Sequence, residues 1–268
     1  YVLYNRFLKK EGYQTLPRRP LEKRKLRYED VYPVLYLKYR LSRQAERSNI
    51  KHLVIDEMQD YSRLQYLIIR RMFSCKMTIL GDRAQTMADQ QQDVLQFLPG
   101  IFGKDLRRIE MRKSYRNTVE IASYAANLIG VTDLELFERH GMPVLERDVS
   151  DLEAALREAV DTLFPDEKTY ETAAVIVPDE KTAERAYLIL REILAEKDFD
   201  CGKRLSWLNR DSSSFKKGLT VTTFYLAKGL EFDQVFSIFP KDEKREIMMQ
   251  AQYIAATRAL HELRVYHI

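Results

Sequence analysis

From residue 50 onward, short apolar runs that end in polar or acidic residues alternate with segments whose apolar positions recur every three or four residues. HLVID (52–56) reads as a buried strand ending in acid, and SRLQYLIIRRMF (62–73) as a helix with Ser62 at its N-cap. MTILGD (77–82) predicts a second strand and RRIEM (107–111) a third, before a helix over NTVEIASYAANLIG (117–130) closed by a glycine. Ser150 and Glu153, in capping-box spacing, open a helix over 150–163. TAAVIVP (172–178) is a predicted strand, and 179–196 a helix with Ala183, Ala186, Leu190 and Ile193 on one face. Strands follow at GLTVTTF (218–224) and QVFSIF (234–239), then a helix over 243–258 and a last strand, ELRVYHI (262–268). This alternation predicts an α/β fold, parallel sheets with helices on both faces. Upstream, YEDVYPVLYLKYRL (28–41) has helical spacing at Val31, Leu35, Leu37 and Leu41, with Pro33 near its first turn. Within residues 1–30 the basic, proline-punctuated LPRRPLEKRKLR reads as an exposed connector.

Composition narrows the class without choosing a function. The 268 residues allow one or two domains, and 45% apolar with 31% charged residues is ordinary for a globular protein with a real core. That apolar share excludes disorder throughout, and no run approaches the roughly 18 apolar residues of a membrane span. The net charge, 44 − 40 = +4, is compatible with nucleic acid but too small to imply it. Cys75 and Cys201 can neither staple such a chain nor build a cysteine-rich zinc site, so a reducing, cytoplasmic setting is expected. The chain opens on Tyr1 with no signal-peptide pattern, which suggests a piece of something longer.

Five short segments carry candidate chemistry. Asp56-Glu57-Met58-Gln59-Asp60 follows the HLVI strand, and ligands of open α/β sheets bind at the carboxyl ends of strands. Two carboxylates there can divide labour, one holding Mg²⁺ and the other activating a water; a solvated turn is the plain alternative. Gly81-Asp82-Arg83-Ala84-Gln85 combines a tight turn with an amide able to reach a terminal phosphate. Ser114-Tyr115-Arg116-Asn117 can aim an arginine at phosphate. The fourth segment is Thr222-Thr223-Phe224-Tyr225-Leu226-Ala227-Lys228-Gly229-Leu230-Glu231-Phe232, and the fifth Ala255-Ala256-Thr257-Arg258-Ala259-Leu260. Alone, an arginine such as Arg258 near a helix end compensates the helix dipole.

In this order the five segments resemble motifs II to VI of superfamily 1 helicases of the UvrD/Rep/PcrA type, over roughly residues 50–268. DEMQD is similar to D-E-x-Q-D, GDRAQ to G-D-x-x-Q, KSYRN to the N-Y-R-S region, TTFYLAKGLEFD to T-x-H-x-A-K-G-L-E-F/W-D, and AATRAL to V-A-x-T-R-A. GDRAQ continues as TMADQQQDVLQF, without the base-stacking Tyr and Trp of the UvrD type, and the interval between the fourth and fifth motifs is short. Both features, with QDYSRLQ and LKYRL, look like the HelD branch, a helicase-IV-like ATPase that binds and recycles RNA polymerase.

The resemblance implies two tandem RecA-like (P-loop NTPase) halves, 1–104 and 105–268, the first incomplete, with ATP in their cleft. Asp56 would hold the Mg²⁺ of MgATP, Glu57 would activate the hydrolytic water, and Gln85 would sense the γ-phosphate. Arg116 and Arg258 would be arginine fingers acting in cis and Glu231 would contact the ribose. Thr222, Thr223 and Lys228 would line the nucleic-acid path. No G-x-x-x-x-G-K-[ST] occurs among the nine glycines, so the phosphate-cradling loop is expected upstream, in a missing N-terminal part of the same protein. This piece alone would then be a poor ATPase. The rival readings are a UvrD-type single-stranded DNA translocase and a non-catalytic interaction module. The first is weakened by the missing aromatics, and the second by the retained catalytic positions.

Overall fold

Buried apolar strands and amphipathic helices sort into two units in the computed structural model. It describes every residue except 42–48, 83–84, 86–92, 104–105, 112, 133–134, 165–169, 198–199, 213–216 and 242–245. One unit comprises Tyr1–Arg83 with Gln90–Arg108, the other Ala84–Asp89 with Ile109–Ile268.

The first unit contains α1 (Val2–Lys10), α2 (Tyr28–Leu41), β1 (His52–Ile55), α3 (Arg63–Met72), β2 (Lys76–Ile79) and α4 (Val94–Phe102). β1 and β2 pair in parallel, His52 opposite Lys76 through Ile55 opposite Ile79. Ile55, Tyr66, Val94 and Leu98 form the buried centre beneath them. Ser62 caps α3 as expected, in a full capping box with Gln65. α2 has the expected bounds, with Pro33 inside it just beyond the first turn. The described residues of LPRRPLEKRKLR are exposed apart from Leu16, as expected of a connector, and a helix precedes them. α1 buries Tyr4 and Leu8 against Leu16, and the Asn5 side chain brackets Leu16 through both its N–H and C=O. The buried Asp30 carboxylate accepts from Tyr4 Oη at 2.7 Å and Arg27 Nε at 2.8 Å, which offsets its desolvation.

The second unit contains β3 (Lys113–Ser114), α5 (Val119–Leu128), β4 (Glu135–Leu136), β5 (Leu145–Asp148), α6 (Leu152–Asp161), β6 (Thr172–Val177), α7 (Glu180–Ala195) and α8 (Cys201–Arg204). It continues with β7 (Leu205–Trp207), β8 (Gly218–Thr223), β9 (Phe232–Phe239), α9 (Glu246–Ala256) and β10 (Ala259–His267). Six strands form a sheet in the order β5-β10-β9-β6-β8-β7, every pair parallel. The period of two along a strand explains its two cores. Ala173, Val175 and Val177 of β6 face α6 and α7, whereas Ala174 and Ile176 face α5 and α9. This is the expected α/β architecture with helices on both faces. Each fully buried aliphatic or aromatic side chain in these layers contributes about 1.5–3 kcal/mol.

Four expectations are corrected. RRIEM is no strand; Ile109 and Met111 are over 80% exposed, because two apolar residues among charges have no sheet to enter. The α6 cap is Asp151, not Ser150: its carboxylate accepts the Ala154 N–H at 2.9 Å, and aspartate caps as well as serine. Asn117 lies ahead of α5, whose cap is Thr118. The final strand starts earlier than expected, at Ala259, and the expected start of the helix over 243–258 lies outside the described residues.

Candidate functional site

In the first unit the site grows from the end of β1. Asp56 is exposed there and its Oδ1 accepts the Glu57 N–H at 2.8 Å. Glu57 adopts the left-handed conformation, φ 53°, ψ 50°, which costs an L-residue roughly 1–2 kcal/mol. The turn is held from three sides. Met58 N–H donates to Leu80 O at 2.8 Å, Asp60 N–H to Glu57 O at 2.9 Å, and Tyr66 Oη to Met58 O at 3.0 Å.

Gln59, buried behind the acid pair, joins the first two motifs. Its Nε2 donates to Glu57 Oε2 at 2.6 Å, and its Oε1 accepts the Asp82 N–H at 3.1 Å. Gly81 makes room for this: a Cβ there would stand 2.4 Å from Gln59 Oε1 and 2.7 Å from Met58 N. Sequence reasoning noted the glycine's turn but missed the glutamine, although Gln59 lies inside the acidic run.

In the second unit two segments far apart in sequence converge on one dipeptide, Leu230–Glu231. Arg116, just after β3, pairs its Nε with Glu231 Oε1 at 2.6 Å. Arg258, between α9 and β10, is almost wholly buried and donates from Nη1 to Leu230 O at 3.4 Å and from Nε to Ile254 O at 3.2 Å. Its own carbonyl accepts the Phe232 N–H at 2.9 Å. Arg258 Nη2 reaches Gln85 Oε1 at 3.3 Å, and Lys228 Nζ donates to Gln85 O at 3.2 Å; Gln85 clusters with this unit. Arg258 and Glu231 precede β10 and β9, so this cluster lies at amino ends of strands, unlike the acid pair at the carboxyl end of β1.

Thr222 and Thr223, expected along a nucleic-acid path, are buried in β8. The Thr222 hydroxyl donates to Leu208 O at 3.2 Å, and Thr223 Oγ1 is buried without a partner among the described residues. Lys228, in the loop beyond β8, is half-buried. Asp233, the acid that ends the fourth motif, is structural. Burial alone would raise its carboxyl, but the Glu171 and Thr172 amides and the Thr172 hydroxyl hold it below the ordinary value. Sequence reasoning also missed an exposed aromatic pair beside Arg116. Tyr115 and Phe137 have ring centroids 5.7 Å apart, with Lys113 Nζ 5.5 Å from the Tyr115 centroid.

The donor chemistry suits MgATP. Mg²⁺ keeps several waters and takes one or two carboxylates beside substrate phosphates, a mode that the exposed Asp56 matches. No group of three or more metal-ligating side chains occurs among the described residues, and this mode requires none. Arginines suit the phosphates in turn, through planar bidentate donors.

Fold and site thus define a parallel α/β protein with a strand-end acid pair and two arginines converging on a shared dipeptide. Residues 8–87 match the family of the UvrD/REP helicase N-terminal domain. No curated protein matches the chain. Among solved structures, the C-terminal domain of a possible DNA helicase from Lactobacillus plantarum WCFS1 is 24% identical, with TM-score 0.45, over 58% of this chain and 88% of that one. The PRRSV helicase is 17% identical, TM-score 0.43, over 81% of this chain and 35% of its own. Arterivirus nonstructural protein 10 (helicase), in complex with DNA, is 15% identical, TM-score 0.44, over 83% and 41%. The chain therefore spans well under half the length of these two viral helicases. No helix among the described residues is long and apolar enough to cross a membrane.

Proposed function

We propose that this chain is the motor portion of a cytoplasmic, ATP-dependent superfamily 1 helicase-type protein. It couples MgATP hydrolysis to motion on nucleic acid or, as in the HelD branch, on RNA polymerase. In this reading residues 1–104 are the later part of a first RecA-like domain and 105–268 the second, with the phosphate loop supplied by an upstream part of the same protein. The observation that carries the reading is the convergence of Arg116 and Arg258 on Leu230–Glu231. A structural arginine needs no second guanidinium from a remote segment, whereas phosphoryl transfer gains from several.

Asp56 would hold Mg²⁺, which when bound offsets charge on the phosphates. The Glu57 carboxylate, oriented by Gln59, takes the proton of an attacking water. Arg116 and Arg258 neutralise charge that develops on the transferring group, and Glu231, exposed beside Arg116, meets the ribose. Gln85, bonded to Arg258 and to Lys228, relays the phosphate state toward a nucleic-acid path that Lys228 would line; Thr222 and Thr223, buried in β8, would support that path from behind rather than touch the strand.

The test is steady-state ATP turnover by the full-length protein alone, with single-stranded DNA, and with RNA polymerase. Glu57→Gln should slow turnover at least 100-fold with nucleotide still bound, since positioned general bases contribute 10²–10⁴; unchanged turnover would sink the assignment. Tight polymerase binding with turnover indifferent to DNA supports the HelD-like motor. Strong stimulation by DNA alone supports the second reading, a single-stranded DNA translocase, which the UvrD/REP match over residues 8–87 favours.

A further inference from the structure

Between β4 and β5, outside every motif, Arg139 reaches into the junction of the two arginine-bearing segments. Its Nη2 donates to Arg116 O and, at 2.9 Å, to Leu260 O. Asn117, the residue after Arg116 and itself buried, makes the same connection by another route. Its Nδ2 donates to Ala259 O at 2.7 Å and Thr257 O at 3.3 Å, the carbonyls on either side of Arg258. The segment bearing Arg139 is wedged in place. Its carbonyl accepts the Val119 N–H at 2.9 Å. A Cβ at Gly141 would stand 2.6 Å from Thr118 Cγ2 and 3.2 Å from His261 O. The Arg139 Nε–H is buried with no hydrogen-bond partner among the described residues.

We propose that Asn117 and Arg139 are positioning residues. They staple the segment carrying Arg116 to the segment carrying Arg258, so that the two guanidinium groups meet a phosphoryl group as one rigid pair. Neither touches the substrate in this scheme. Four donor contacts to the carbonyls of Arg116, Thr257, Ala259 and Leu260 remove the freedom of each segment to shift separately. Preorganised charge of this kind lowers the barrier without reorganising at the moment of reaction. The phosphoryl part of the proposal rests on the function proposed above; the staple itself does not.

The test uses the full-length protein with Arg139→Gln, Arg139→Lys and the near-isosteric Asn117→Asp, the milder two covering a failure of the first to fold. Hydrogen exchange without nucleotide should quicken at least tenfold at the Arg258 and Phe232 amides and stay within twofold in β6. With nucleotide, kcat should fall at least tenfold while nucleotide affinity changes less than twofold. Unchanged exchange at residues 255–260 overturns the staple. So does quickened exchange with kcat within twofold, where Arg116→Ala and Arg258→Ala each slow turnover. If these two alanine variants leave turnover untouched, the function proposed for the arginines fails, and the exchange result alone decides the staple.

Discussion

Gln59 shows how much a single side chain can carry. One amide group donates to the Glu57 carboxylate and accepts from the backbone of Asp82, so the aim of the acid depends on the loop after β2. Gln59→Leu removes a hydrogen bond to a charged group, worth about 1.5–3 kcal/mol. We expect kcat of the full-length protein to fall by about tenfold or more with nucleotide affinity within twofold; a raised KM at unchanged kcat would contradict the orienting role. The acids and arginines themselves were legible, because DEMQD, SYRN, GLEF and ATRA stand as contiguous runs. Their supports were not. Gln59 meets Asp82 across 23 positions and Asn117 meets Ala259 across 142, and such pairings depend on strand order and loop paths that local spacing does not encode.

At the scale of elements, legibility followed burial. β6, β8 and β9 lie between two helical layers; β6 reads as a nearly continuous apolar run and β8 and β9 are rich in β-branched and aromatic residues, so pattern alone found them. β5 is the opposite case: LERD sits at the sheet edge, exposed along its length, and shows neither alternation nor an apolar run. α4 hid behind Pro99 and Gly100, which signal a break, yet its apolar residues pack on Tyr66. Helix starts were better marked. At α7 the Asp179 carboxylate accepts the Thr182 N–H at 2.9 Å and also holds the Thr182 hydroxyl at 2.9 Å. Asp179→Ala should cost about 1 kcal/mol and lower the melting temperature by about 2–4 °C, measured by circular dichroism.

For the whole molecule, acid is the exposed flank. His140 donates to Glu120, with the Gly141 amide as a second donor, and together they outweigh burial to hold that carboxyl at about 2, below its ordinary 4.5. Asp148, Asp151 and Asp233 are also held below their usual range, the first chiefly by Lys241 and the second by the Ala154 amide. Groups depressed in this way stabilise the fold fully above their unfolded values, and that contribution is lost as pH falls through the folded ones. Melting followed from pH 6 down to pH 2.5 should therefore show the unmodified chain ahead of Glu120→Gln at pH 6, with the gap closing below about pH 4.5. A gap that stays constant with pH would remove the Glu120 clasp from the account.

Glu57 carries a different consequence. Its left-handed backbone suits glycine, and asparagine or aspartate next, far better than glutamate. A library sorted on heat resistance alone would therefore drift away from glutamate at this position, and its hardiest members would be the ones that had given up the proposed hydrolytic base.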